Sequence, residues 1–284
     1  MTDDAPNAES RAFWSDQVGR RWAELAPKMD HHMSRVLEAI LEVAEPRARE
    51  DAIDVGCGAG ALTEALAEAV GRMGSVLGID LSRPLLDAAR ERLAGASHVR
   101  LVEDDAQTRL FPPESADLVT SRFGVMFFDD PVAAFANLHS ALRPGGRIAV
   151  AAWAAYADNP WFRIPREAAA KRFGLGSLPP LDDETGPFGL ARTERTIDLL
   201  ARAGIDAPGV ETRDVDLLVR GTAGDAADLA SGLGPVSAMM REKDGSAEDL
   251  EAIRTAIATA FGKYETEGEV RVPGRIHIYT GRKA

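Results

Sequence analysis

The chain has 284 residues, enough for one large domain or for a domain carrying a sizeable insertion, and its 45% hydrophobic and 27% charged residues match a soluble globular protein. A net charge of −12 and a pI near 5.0 argue against a nucleic-acid backbone or an anionic membrane as main partner, since either selects a basic face. A single cysteine, Cys57, excludes an intrachain disulfide framework and a cysteine-rich metal site.

Helical patches around "AFWSDQVGRRWAEL" and "MSRVLEAILEVA" open the chain. "AIDV" then reads as a buried strand and "ALTEALAEAV" as the helix after it, with Leu62, Leu66 and Val70 on one face. "SVLGID" is a second strand. Ser82 is the expected N-cap of the helix "RPLLDAARERL", with Pro84 in its first turn. "VRLVED" and "ADLVTS" are the third and fourth strands. "PVAAFANLHSAL" is a helix stopped by "RPGG", and "RIAVAAW" is the fifth strand. Strict alternation of strand and helix, with central strands apolar on both faces, predicts a doubly wound α/β domain with a parallel sheet.

Beyond Trp153 the pattern loosens. "AAYADNPWFRIP" reads as irregular and "GLGSLPPLDDETGP" as a Gly/Pro-rich loop. "TERTIDLLARAG" is a helix, and "VETRDVDLLV" alternates like a strand with one solvated face. Helical stretches at about 223–240 and 246–264 precede "EVRVPGRIHIYTG", which alternates and is expected to turn at Pro273-Gly274. An alternating strand in that place predicts an antiparallel edge on the parallel sheet. The extra helices have no place in the sheet layers and read as a lid.

"AIDVGCGAG" places Gly56, Gly58 and Gly60 directly after the first strand, where ligands bind in doubly wound sheets. Glycines there let the backbone bend and approach a ligand closely. "GCGAGA" satisfies the relaxed dinucleotide fingerprint, and Asp80 lies where a ribose acid belongs, so a nicotinamide-dependent oxidoreductase is one reading of the turn. Asp54 weighs against it. A carboxylate inside the strand repels a pyrophosphate and suits a ligand carrying an ammonium and a sulfonium. Asp105, in "EDDA" at the end of the third strand, can accept a hydrogen bond from an exocyclic amino group.

In order, "AIDVGCGAG", "VLGIDLS", "VEDDAQ", "FPPESADLVTSRFGVMFFDDP" and "LHSALRPGGRIAVAAW" resemble the consecutive motifs of the class I S-adenosylmethionine-dependent methyltransferases. The small-molecule branch that includes the ubiquinone and menaquinone C-methyltransferases is nearest in flavour. The resemblance covers residues 50–153, and more weakly 185–220 and 268–284. It implies a mostly parallel seven-stranded sheet with an antiparallel C-terminal edge strand, and S-adenosyl-L-methionine as cofactor. Gly56 and Gly58, with Cys57 between them, would then lie against its methionine part and ribose. Asp54 would orient its amino group. Asp80 matches the acid that takes both ribose hydroxyls, Leu81 the residue stacked on adenine, and Asp105 the acceptor of the adenine amino group, with Ala106 adding a backbone contact. Ser121 and Arg122 match the position that touches the methionine end and faces the substrate. The local alternatives are that Asp54 only ties down its surroundings, that Cys57 is a small turn residue, and that Arg122 serves a structural salt bridge.

Methyl transfer needs alignment and exclusion of water more than a catalytic constellation, although a phenol or activated carbon must lose a proton. Candidate acid–base groups are His31, His32, Tyr156 and Arg122; His98 and His139 read as surface residues, and His277 lies on the C-terminal strand. Trp14, Trp22, Phe123, Phe127, Phe128, Trp153, Trp161 and Phe162 could wall an apolar acceptor pocket, with Trp153 and Trp161 expected at its mouth. "DNPW" follows the fifth strand and lacks a second proline, so it is read as a turn and not as a nucleic-acid amino-methylation loop. The inferred lid helices depart from the quinone enzymes and put a quinone substrate in doubt. No acidic or histidine cluster has metal-ligand spacing, so no metal is expected.

These readings divide the chain into an N-terminal helical cap, residues 1–48, and a methyltransferase domain, residues 49–284, with lid insertions at about 154–185 and 223–264. The expected function is methyl transfer to an O, N, C or S atom of a small organic acceptor of aromatic or apolar character, without nucleic acid. A nicotinamide-dependent oxidoreductase and a non-catalytic cofactor-binding protein are the alternatives, and a homodimer is left open. "MTDDAPNAES" lacks the apolar region of a secretory signal and no run of about 18 apolar residues occurs, so a cytoplasmic protein without a membrane span is expected.

Overall fold

The computed structural model describes residues 6–15, 17–176, 178, 179, 181 and 186–284. The first residues of the expected cap and part of the expected loop at 174–187 therefore lie outside the described residues. Four helices open the chain: α1 (Ala8–Ser15), α2 (Gln17–Glu24), α3 (Ala26–His32) and α4 (Ser34–Ala44). The alternating region follows as β1 (Asp51–Val55), α5 (Ala61–Val70), β2 (Ser75–Asp80), α6 (Arg83–Arg92), β3 (Val99–Glu103), β4 (Ala116–Arg122), α7 (Pro131–Ala141) and β5 (Leu142–Trp153). Then come α8 (Pro160–Arg172), α9 (Thr193–Arg202), β6 (Asp206–Arg220), α10 (Ala223–Ser231), α11 (Pro235–Glu242), α12 (Ala247–Phe261), β7 (Glu265–Thr266) and β8 (Glu269–Arg282).

The sheet order is β3-β2-β1-β4-β5-β8-β6, with β7 paired to β8. Strands β3 to β5 are parallel, as the buried apolar runs predict. On β1, Ala52, Ile53 and Val55 are buried, and Leu62, Leu66 and Val70 of α5 are buried with them. The C-terminal strand β8 runs antiparallel, as expected, and pairs on both sides: with β5 over residues 276–282 and with β6 along its whole length. The outermost position falls to β6. Strand order depends on how the chain returns to the sheet, which the alternation within one strand does not record.

Three local expectations change. The stretch after Trp153 is helical, because Pro160 sits in the first turn of α8, where its missing N–H costs nothing, while Pro165 is accommodated inside the helix. No turn forms at Pro273-Gly274: β8 continues, pairing Pro273 with Asp216 and Gly274 with Val215. Strand β5 has ended by then, so this stretch resembles an edge strand, where a proline is tolerated. The helical stretch at 223–240 is split into α10 and α11, with Gly234 at φ +65° before Pro235.

Strand order reverses between β1 and β4, which opens a crevice at their carboxyl ends. The glycine turn lines it. Gly56 has φ +66°, and a Cβ there would lie 2.5 Å from the Gly124 Cα. Gly58 has φ +54° but open space around the same position. Gly56→Ala is therefore expected to cost about 2–5 kcal/mol through strain and overlap. A melting temperature lowered by roughly 5–15 °C in calorimetry would register that cost for a chain of this size. Gly58→Ala should lose clearly less; equal losses would mean that contact with Gly124 is not what constrains the turn.

Candidate functional site

The crevice widens into a cavity of about 1120 Å³. Its floor comes from the turn after β1, from the ends of β2 and β4, and from the loop after β3. Asp54, Gly56, Cys57, Gly58, Asp80, Leu81, Asp105, Ala106 and Arg122 all line it. Residues separated by more than 60 positions in sequence are thus brought to one wall by the parallel crossovers.

Asp54 is buried on β1. One carboxylate oxygen accepts a 2.6 Å hydrogen bond from the Thr63 hydroxyl, and the other, Oδ1, is buried without a partner. Burial pushes its carboxyl up to about 7, with the Asp80 charge adding to the rise and Thr63 and Arg122 opposing it. Arg122, at the end of β4, carries a matching vacancy in hydrogen bonding: its Nη1 is buried and unpartnered among the described residues. Burial weakens its hold on the proton, while the charges of Asp30 and Asp54 support it. A buried acceptor and a buried donor, each within reach of the other's field, therefore border the same cradle.

Asp80 closes the turn. Its Oδ2 accepts from the Gly58 amide at 2.8 Å and its Oδ1 from the Ser82 amide at 2.8 Å. Burial raises its carboxyl above the ordinary value against these amides and that of Leu81. Ser82 is the residue before α6, as its sequence context predicts, but its hydroxyl makes no cap. It donates instead to the Trp14 carbonyl at 2.7 Å, tying the α1–α2 connection to the crevice. Burial, together with Asp80 and Asp54, pushes the Cys57 thiol well above its ordinary value, so it stays a neutral turn residue.

Asp105 is buried beneath the N-terminal segment. The Asn7 side-chain amide donates to both of its carboxylate oxygens at 2.9 Å, and the Gln107 amide to one of them at 2.9 Å. A carboxylate accepts about four hydrogen bonds, so room for one further donor remains. Asn7 also accepts from the Asp129 amide at 2.7 Å, clasping the loops after β3 and β4 together. Nothing in "DDAPNAES" marks this asparagine as a site residue; its role comes from packing across the chain.

Other expected residues fall elsewhere. Ser121 does not line the cavity: its hydroxyl donates to the Val55 carbonyl at 2.7 Å and accepts from the Gly124 amide at 3.0 Å, pinning the two turns together. His32 lies buried behind the cavity, against the Leu218 carbonyl at 3.2 Å and the Trp161 ring, and burial lowers it to about 4. His31 meets Glu269 at 3.2 Å. Neither histidine lines the cavity, and neither does Tyr156, which packs edge-on against Phe188. His98 and His277 bond to the Ala67 carbonyl and the Thr212 hydroxyl. Burial also lowers His139 and His277, and neither lines the cavity.

Trp14, Trp22, Phe123, Phe127, Phe128, Trp153 and Phe162 do line it. Trp161 turns away and stacks on Phe261 at 5.5 Å, so only Trp153 of the two expected mouth residues reaches the cavity. The far wall comes from α8, α11 and their neighbours, through Arg166, Leu233, Met239, Met240 and Leu250. No group of three or more His, Cys, Asp or Glu among the described residues is placed to hold a metal. No helix among them is long and apolar enough to cross a membrane.

Residues 53–150 match the family described as the methyltransferase domain. The aklanonic acid methyltransferase of Streptomyces sp. (strain C5) is 38% identical over 112 residues, 39% of this chain and 51% of that protein. The demethylmenaquinone methyltransferase of Staphylococcus aureus (strain JH9) is 40% identical over 149 residues, 52% of this chain and 62% of that protein. The chain thus spans between half and two thirds of the length of these relatives. The structure of phosphoethanolamine N-methyltransferase 2 from Haemonchus contortus, in complex with S-adenosyl-L-methionine, shares the fold at a TM-score of 0.56 and 16% identity, covering 96% of this chain and 60% of that one. From β1 to β5, over residues 53–150, the chain is therefore similar to the methyltransferase domain and to these two methyltransferases.

Proposed function

We propose that the protein is an S-adenosyl-L-methionine-dependent methyltransferase acting on a small organic acceptor. The observation that carries this reading is the pair of unpartnered buried atoms, Asp54 Oδ1 and Arg122 Nη1, beside the glycine cradle. A buried acceptor and a buried donor left without protein partners are costly unless a ligand completes them. The ammonium and carboxylate of an amino acid do so together. A pyrophosphate would leave Asp54 facing like charge.

The remaining cofactor contacts follow from chemistry. Asp80 offers carboxylate oxygens to a ribose diol, Leu81 an apolar face to adenine, and Asp105 its free capacity to the adenine amino group. Ala106 supports the same end from its backbone. Gly56, Cys57 and Gly58 bring main chain close to the ligand, and Ser121 holds that main chain in place. When bound, the cofactor supplies an electrophilic methyl on a good leaving group, for in-line displacement by an O, N, C or S atom. The aromatic wall of Phe123, Trp153 and Phe162 orients an aromatic or apolar acceptor and keeps water out. In this reading residues 1–48 act as a cap, and about 154–185 and 223–264 as lid insertions on the domain at 49–284. The buried lone thiol suits the reducing cytoplasm.

Calorimetric titration with S-adenosylmethionine, S-adenosylhomocysteine and NAD⁺ tests the reading. Micromolar binding of the two sulfur nucleosides without NAD⁺ binding is expected. Binding of NAD⁺ alone would return the turn to a dinucleotide role. Tight binding without turnover on a broad acceptor panel would mark a binding protein instead.

A further inference from the structure

Arg166 lies in the second turn of α8, 8% exposed, and lines the cavity. A guanidinium stays ionised in proteins, and holding one out of water is costly unless a counter-charge meets it. On the same helix, half-buried Arg163 has Glu167 at 3.2 Å and exposed Arg172 has Asp249 at 2.7 Å. Arg166, the buried one, pairs with no carboxylate among the described residues. Its Nη1 donates to the Pro179 carbonyl at 2.7 Å, and its guanidinium carbon sits 5.4 Å from the centre of the Tyr156 ring. Burial raises the Tyr156 phenol, so that ring stays neutral and does not balance the charge.

Arg166 follows Phe162 by about one turn on α8, and Phe162 belongs to a chain of aromatic contacts that reaches Phe123 beside Arg122. Phe123, which follows Arg122, stacks on Trp153 at 4.1 Å with 12° between the planes. Trp153 meets Phe162 at 5.1 Å, and Phe162 meets Phe188 at 5.2 Å. Leu181, Met239 and Met240 add apolar lining to the same cavity. A flat apolar body fits such a wall, and a fixed cation at its far end selects a carboxylate, which a guanidinium binds with two parallel hydrogen bonds.

We infer that the acceptor is a flat, apolar molecule bearing a carboxylate, and that Arg166 is the specificity-determining residue that anchors this group away from the methyl-accepting atom. The inference rests on the methyltransferase reading for what happens at the other end of the cavity, but not for the anion preference itself.

The test uses a matched pair of probes, 2-naphthoate and 2-naphthamide, titrated by calorimetry into the full chain with and without S-adenosylhomocysteine. Wild-type protein should bind the acid about tenfold or more tighter than the amide, as expected for a desolvated charge-assisted pair. The ratio should fall to near one in Arg166→Met and be retained in part in Arg166→Lys. A merely structural role would weaken both probes together and leave the ratio intact. Equal binding of the two probes by wild type, no binding of either, or a preference that survives in Arg166→Met would overturn the inference. Should Arg166→Met not fold, the wild-type ratio and Arg166→Lys decide it. Loss of S-adenosylhomocysteine binding by wild type would be a failure of the donor reading, and the naphthoate preference is measured without that ligand as well.

Discussion

Asp54→Asn is expected to give a protein that is more stable at pH 8 and a poorer ligand for S-adenosylmethionine. In the unfolded chain the Asp54 carboxyl titrates at its ordinary value, 3.8; in the folded protein burial pushes it up to about 7. Between these values the folded state keeps a proton that the unfolded state has released. Stability contributed by this group is therefore full below pH 4, falls as pH rises, and levels off above 7. The whole span corresponds to about 4 kcal/mol of destabilisation at pH 8. Asparagine keeps an oxygen for the Thr63 hydroxyl and has no charge to bury. Its advantage over wild type should be up to about 4 kcal/mol at pH 8 and near zero at pH 4, read from urea unfolding across that range. A constant difference between the two proteins would show that Asp54 ionises like an ordinary carboxyl.

Binding reverses the sign. A ligand ammonium placed at Asp54 Oδ1 favours the ionised form, so binding must expel the proton that wild-type protein holds below pH 7. Affinity should therefore rise between about pH 5 and 7 and then flatten, and the binding enthalpy at pH 6 should depend on the buffer that takes up the proton. Asp54→Asn should lose both signatures along with affinity. A site that costs stability until its ligand arrives is the usual trade between stability and function.

The alternating core could be read directly from sequence because its rules are local. Buried apolar runs of four to seven residues and one-faced helices such as Leu62–Leu66–Val70 carry their own periodicity. The acids at strand ends, Asp54, Asp80 and Asp105, were equally legible, since a parallel sheet brings strand ends to one edge. What the pattern could not carry was non-local. Asn7 reaches Asp105 across 98 positions from a polar stretch without periodicity. Arg166 is buried by the packing of α8 against α10, α11 and α12, on a segment whose two prolines suggested a loop. Ser121 and Trp161 carried the right residue types in the right neighbourhoods, but side-chain direction sent one to the Val55 carbonyl and the other to Phe261. His31 and His32 have the residue type for acid–base work, but His32 packs as a neutral core ring and neither lines the cavity.

Asp80→Ala should cause the largest loss of binding at the site, with S-adenosylmethionine affinity reduced about 100-fold or more. On the proposed cofactor contacts, two charge-assisted hydrogen bonds from a ribose diol would contribute about 1.5–3 kcal/mol each, and about 1.4 kcal/mol is a factor of ten. The same carboxylate also holds the Gly58 and Ser82 amides, so the variant loosens the turn that presents Gly56 and Gly58. Asp80→Asn separates the two roles. Its amide oxygen can still accept one of these backbone bonds, while its neutral group binds a diol less strongly. If diol recognition dominates, Asn and Ala should lose affinity to a similar degree, with Asn melting closer to wild type. If holding the turn dominates, affinity should follow melting temperature through both variants. Asp87→Ala, which removes an exposed partner of Arg83 on α6, should leave affinity unchanged and controls for charge loss on this side of the molecule. Retained micromolar binding by Asp80→Ala would remove the diol from Asp80 and leave it only the turn.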